Sequence, residues 1–336
     1  MSQRVRLVAL VAVVVAVVAG TVAFVASSRA TRQRAVATAP AQTTVAASDV
    51  TGPRVVFRNS AIGPNYGRVA AVRLADPSGP RAVLPPSCDR VFASTDRILC
   101  LASDRGLVTT YTATVLTTAG SRVVDLPLTG SPSRARLSRD ATLAATTSFV
   151  AGDSYASTSF STRTVVTHLG DQRSQDLESF TLVHEGRPTA PADRNIWGVT
   201  FAADDDTIYA TAAFGGRTWL VRGRLSTQTL ETVRDDAECP SLSPDGTRVA
   251  FKTRGTRAPG DWRISVLDLA TGRETPLAEP RRVDDQVEWL DDARVIYGLP
   301  GVGTAAAESN IWVVPADGTG VAQLFIAKGW SPAVVR

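Results

Sequence analysis

Few residues in this chain are of a type and spacing that could do covalent chemistry. It has two histidines, His168 and His184, and three cysteines, Cys88, Cys100 and Cys239. Neither histidine stands at a metal-ligand spacing such as His-x3-His, so ordinary surface or strand histidines are expected. Gly152-Asp-Ser-Tyr-Ala156 resembles a Gly-x-Ser-x-Gly nucleophile elbow, but it lacks the final glycine and any following α/β-hydrolase segment, and a loop is the better reading. Asp204 to Asp206, Asp235-Asp236, Asp284-Asp285 and Asp291-Asp292 offer the oxygens a hard cation takes. The first and last of these fall where the chain must turn, and there aspartate supports the backbone bend locally. No catalytic set, metal site or cofactor is expected.

The elements that must position these groups are strands. From Pro53 onward short Val/Ile/Thr/aromatic runs are punctuated by Gly, Pro, Asp and Ser, with no helical stripe. The clearest unit begins Cys239-Pro-Ser-Leu-Ser-Pro-Asp-Gly-Thr-Arg-Val-Ala-Phe251, two strands flanking a Pro-Asp-Gly turn whose glycine can take positive φ. Trp262 to Leu269, a turn at Thr271-Gly272 and Glu274 to Leu277 complete four strands, one propeller blade. Val287 to Tyr297 lays on Ser241 to Phe251 as a second copy. Weaker copies occur at Phe201 to Tyr209, Leu137 to Leu143 and Cys88 to Cys100, where Cys88 falls on Cys239. Repeat positions are then Val91, Leu137, Phe201, Leu242 and Glu288, and the long interval after Leu137 requires an insertion, placed at Gln172 to Asn195.

Gly329 to Val335 reads as the first strand of a unit that then stops, while Arg54–Phe57, Gly67–Leu74 and Arg81–Leu84 are three strands with no opening strand before them. Together they make a sixth blade. The expected fold is therefore all-β, a six-bladed β-propeller over residues 53–336 closed by pairing of the N- and C-terminal strands, Trp330 to Val335 with Arg54 to Phe57.

Ser243-Pro-Asp-Gly246 followed by Arg248-Val-Ala-Phe251 resembles the TolB-like, WD40-like propeller repeat. The whole chain is similar to a group of bacterial membrane-anchored TolB-like proteins. TolB itself carries a separate α/β domain before its propeller, and only a tether stands there in this chain, so the resemblance does not carry over the role in the Tol–Pal envelope system. It implies a six-bladed propeller, extracytoplasmic placement, and binding of a protein or glycan.

In such a ring the loops entering the innermost strands gather at one mouth of the axial channel. That argument places Arg90, Arg134, Asp193, Arg194, Glu238, Arg282, Asp284 and Asp285 at one rim, with Trp197 as a stacking platform. Replacing Arg134 and Asp285 together is expected to leave the melting temperature nearly unchanged, as surface substitutions do. Cys88 and Cys100 flank one hairpin that turns at Thr95 and come close to facing each other, so a disulfide is expected between them, with Cys239 free.

The N-terminal end sets the surroundings. After a short tail of residues 1–6, Leu7 to Ala26 is an unbroken apolar run without a charge, the length an α-helix needs to cross hydrocarbon. A transmembrane anchor is the favoured reading, and an uncleaved or cleaved signal segment ending near Ala26-Ser27-Ser28 is the alternative. Residues 27–52 are expected to be a flexible linker. The formal net charge of +4 is more than accounted for by Arg4, Arg6, Arg29, Arg32 and Arg34, so the remainder is slightly acidic. Nucleic acid is thereby excluded as a partner.

The expected function is a single-pass, membrane-anchored binding module with its propeller on the extracytoplasmic side, engaging an envelope protein or glycan. A polysaccharide-acting lyase or hydrolase, and a structural or sensor subunit of a membrane complex, are the alternatives.

Overall fold

A computed structural model describes residues 3–106, 108–150 and 161–336. The elbow-like segment Gly152 to Ala156 lies outside them. One helix, Gln3–Thr38, opens the chain, and an 18-residue window within Leu7–Thr38 reaches a mean hydropathy of 2.9, so the helix is long and apolar enough to cross a membrane. A signal sequence passes the same test. The helix runs on through the first part of the segment expected to be a linker. Further along that segment Thr44–Val45 pairs in parallel with Arg81 and Ala82, and Val50 is buried.

The strands form six sheets, each a blade. Their innermost strands are Arg90–Ala93 in blade 1, Ser131–Leu137 in blade 2, Asn195–Phe201 in blade 3, Glu238–Leu242 in blade 4, Glu288–Asp291 in blade 5 and Gly329–Val335 in blade 6. In blade 6 the last strand pairs antiparallel with Arg54–Asn59, with Arg54 opposite Val335 and Asn59 opposite Gly329. The two ends of the propeller chain thus share one sheet, and the ring is closed as expected.

Apolar residues gather in six clusters, one between each pair of neighbouring blades. Val56 and Ala333 of blade 6, for example, meet Val91 and Ile98 of blade 1. This follows from strands that alternate or run wholly apolar, because both faces of every blade must be covered by its neighbours.

The insertion after Leu137 falls within the expected interval but is shorter, because Ser174–Asp176 is the outer strand of blade 2 and Asn195 opens the inner strand of blade 3. Leu177–Ser179 forms a single 3-10 turn, and the hairpin Thr181–His184 and Arg187–Thr189 adds two strands to the outer edge of blade 3, beside Thr229–Asp235. Buried Leu177, Phe180 and Leu182 fix it there.

Local chemistry explains the first turn of a blade. In blade 4 the Ser243 hydroxyl donates to Asp245, the Asp245 carboxylate accepts from Thr247 N at 3.0 Å, and Gly246 takes φ 73°. Partial burial works against ionisation, yet the bonds from Ser243 and Thr247 hold the Asp245 carboxyl at about 2. Blade 2 repeats the device with Ser138 and Asp140. In blade 5 the turn is shorter, so Trp289 rather than Glu288 takes the place of Leu242 against the second strand. In blade 1 it is Ala93, just before the turn, that corresponds to Leu242, so Cys88 lies ahead of the inner strand and not at the position of Cys239.

Candidate functional site

The six inner strands surround the axis, and side chains of like register form rings around it. On three of these strands a bulge holds one residue in the left-handed region: Gly198 at φ 67°, Cys239 at 50° and Ser331 at 54°. Gly198 meets this demand without strain, and a Cβ there would lie 2.8 Å from Cys239 Cα.

At the mouth where the inner strands begin, the structure brings together Arg90, Arg134, Asp284 and Asp285. Arg90 Nη1 lies 3.2 Å from Asp285 Oδ1, and Asp285 Oδ2 accepts from Gly298 N at 3.0 Å. Arg134 Nε is 3.4 Å from Cys239 Sγ. Burial, reinforced by Arg134, pulls the Arg90 guanidinium down to about 10, and burial pushes the Asp285 carboxyl up despite the facing arginines. Burial acts on Arg134 in the same sense as on Arg90, but Cys239 and Asp285 hold it above its ordinary value. Asp285 is 1% exposed, so it is no surface residue, and the ground for expecting an unchanged melting temperature is removed. An opening among these groups measures about 20 Å³, room for a water molecule.

The remaining candidates on this face are tied elsewhere. Glu238 Oε1 accepts from Trp262 Nε1 at 2.8 Å. The same indole is covered by buried Lys252 at 4.2 Å and by Arg282 at 5.4 Å. Lys252 Nζ pairs with Asp284 Oδ1 at 2.9 Å. Asp193 accepts from Gly215 N at 2.8 Å, and Arg194 donates to the carbonyls of Glu178 and Phe180, holding the insertion. Trp197 is 9% exposed, so its ring is not an open platform.

Sequence reasoning missed the group at the centre. Arg136, two residues beyond Arg134 and therefore on the same face of the strand, crosses the axis to Glu288 in an ion pair. It also donates to Ser241 Oγ at 3.2 Å and lies 4.5 Å over the Phe92 ring. One guanidinium thus joins the inner strands of blades 1, 2, 4 and 5. It lines both openings and stands between them. Its signal was a charge, Glu288, at a repeat position counted with apolar residues.

Beyond Arg136, on the face of the Ser-x-Asp turns, the axis widens into a cavity of about 490 Å³. Arg139, Arg222, Tyr209, Asp204, Asp245 and Trp289 are among its lining residues. Burial raises the Tyr209 hydroxyl, and Arg222 beside it opposes that shift.

No protein-family model and no curated protein matches the chain. Among solved structures it is similar to TolB from Acinetobacter baumannii, with a TM-score of 0.59 and 15% identity over 86% of this chain and 69% of that one. It is also similar to a chain of a nidogen/laminin complex, with a TM-score of 0.54 and 11% identity over 84% and 98% of the two chains. A weaker likeness, TM-score 0.46 and 11% identity over 82% and 88%, is to an oligogalacturonate lyase in complex with manganese. What the likenesses to TolB and to the nidogen/laminin chain establish is the fold, the six-bladed β-propeller of the TolB-like kind.

Proposed function

We propose that the chain is a membrane-anchored, extracytoplasmic binding module that holds a cell-envelope protein or glycan at the propeller axis. The observation that carries this reading is the 490 Å³ cavity at the centre of a ring closed by Arg54–Asn59 and Gly329–Val335. Ligand sites are typically preformed concavities of roughly this size, from about 300 to 1,000 Å³. A closed ring keeps such a site open without a partner to shape it. The disulfide between Cys88 and Cys100 supports an oxidising compartment, and the helix Gln3–Thr38 supports an anchor.

The test is photo-crosslinking of the anchored protein in its own membrane. A crosslinker at Arg139 or Arg222 should capture one defined partner. The same group at Val123, exposed on the outermost strand of blade 1, should not. Capture from Val123 alone, or from no position, would overturn the reading.

A further inference from the structure

We infer that the cavity on the turn face takes an acidic peptide segment, whose carboxylates are held by Arg139 and Arg222. This rests on the binding-module reading and adds to it the mouth that binds and the chemistry that is bound.

The inference comes from which lining groups are already committed. Asp204 accepts from Asp206 N at 3.1 Å, and from Thr207 N and Thr207 Oγ1 at 2.7 Å each. Asp245 is filled by Ser243 and Thr247, and Glu288 by Arg136. The acidic groups of the wall therefore have their partners within the fold. Of the basic groups, Arg136 is paired with Glu288 and Arg336 donates to the carbonyls of Trp289 and Leu290, which leaves Arg139 and Arg222. Arg139 and Arg222, on adjacent blades 2 and 3, are both exposed, and among the described residues neither side chain makes a hydrogen bond or ion pair. Arg136, 5% exposed, keeps its Nε without a partner. What the cavity has left to offer is planar, charged donors, and these match carboxylates in pairs.

The aromatic rings decide between a peptide and a sugar. A sugar is held largely by stacking its C–H face on an open ring. Here the Phe92 ring is covered by Arg136, and the Trp289 ring, 1% exposed, is covered by Arg248 at 5.2 Å. Tyr209 is 7% exposed. Phe201, the remaining ring among the lining residues, is partly exposed but packs against the core between blades 2 and 3, and with guanidinium groups spread over two blades the wall suits an extended chain of side-chain carboxylates.

The experiment measures binding of a fluorescent hexaglutamate peptide to the full chain in nanodiscs by anisotropy. Hexalysine and a galacturonate hexamer serve as comparators. Hexaglutamate should bind and weaken as salt rises. The double variant Arg139→Glu, Arg222→Glu should lose about tenfold or more in affinity, whereas Arg187→Glu on the insertion hairpin should change it by less than about twofold. Both cavity arginines are exposed, so the double variant should melt close to the parent, and a Tm check confirms that it is folded. Absence of hexaglutamate binding, unchanged binding in the folded double variant, or tighter binding of the galacturonate hexamer would each overturn the assignment. If hexaglutamate fails while Arg139 still crosslinks a partner in the membrane, the acidic-peptide assignment alone falls. If axial crosslinking is lost as well, the binding-module reading falls with it.

Discussion

Arg136 on the inner strand of blade 2 reaches across the propeller axis to Glu288 on the inner strand of blade 5, a partner 152 residues away in the chain. The arginine is 5% exposed and the glutamate 7%, so the pair is held out of water. Such a pair is weak evidence of net stabilisation, because desolvation offsets attraction. Its consequence lies in what happens when it is broken. Arg136→Met should destabilise the propeller by about 3–5 kcal/mol by leaving Glu288 buried and unpaired, and Arg136→Met with Glu288→Leu should recover most of that loss. Chemical denaturation of the two single variants and the double measures this. Additive losses would mean that the pair is not coupled.

Asp285 leads to a related expectation on the other side of the axis. Removing its carboxylate strands Arg90 in a site that already pulls the guanidinium down to about 10. It also deprives Gly298 N of its acceptor. Asp285→Ala should therefore lower the melting temperature clearly, while Asp193→Ala, at an exposed position, should cost less. Equal Tm values for the two variants would count against the buried cluster.

Closure makes a third expectation. Deleting Gly329 onward removes the inner strand of blade 6 and exposes the edge of Arg54–Asn59, along with the apolar faces that Ala333 and Val335 cover on one side and Val334 on the other. The truncated protein should unfold at a much lower temperature and expose apolar surface to dye. A melt like that of the full chain would show that the ring does not depend on this strand.

The contrast between what was legible and what was not follows the range of the interactions. The hairpins, the Ser243 to Thr247 turn and the ring closure depend on period-two patterning and on turn chemistry within a few residues, so they could be read from the chain. The site depends on which side chains meet across the axis. Loop geometry put Arg90, Arg134 and Asp285 at one mouth but said nothing of their mutual desolvation. It also could not show that Arg194 turns to the carbonyls of Glu178 and Phe180. Arg136 was hidden because its partner is distant, and because the alignment of repeats set Glu288 on Leu242, whereas backbone pairing sets it on Ser241. The Cys88–Cys239 match was a repeat aligned too loosely: the short turn after Ala93 shifts the inner strand, and backbone pairing, not residue type, reveals the shift.

The disulfide links cysteines 12 residues apart and joins the segment entering blade 1 to that blade's second strand. Alkylation of unfolded, unreduced protein should label Cys239 alone, and reduction should expose all three cysteines. Cys88→Ser with Cys100→Ser should reduce stability by about 2–4 kcal/mol. Three labelled cysteines before reduction would rule out the bridge.

Glu178 carries the expectation about pH. Its carboxylate sits between blades 2 and 3, accepting from Thr164 N at 2.9 Å, from Thr162 Oγ1 at 3.2 Å and from Ile196 N at 3.3 Å. Burial, with Asp176 beside it, raises its pKa from 4.5 to about 8, more than the backbone bonds can offset. A carboxyl whose folded pKa lies above its unfolded one favours the folded state fully below the unfolded value. That contribution is lost as pH rises from 4.5 through 8, because the unfolded chain releases its proton first. The depressed carboxyls such as Asp245 act in the other direction, and only at lower pH. Between pH 5 and 8.5 stability should therefore fall, and Glu178→Gln, which keeps an acceptor and removes the titration, should flatten that slope. Urea unfolding of the two proteins at several pH values measures the difference. Parallel slopes would show that Glu178 titrates alike in the folded and unfolded chains.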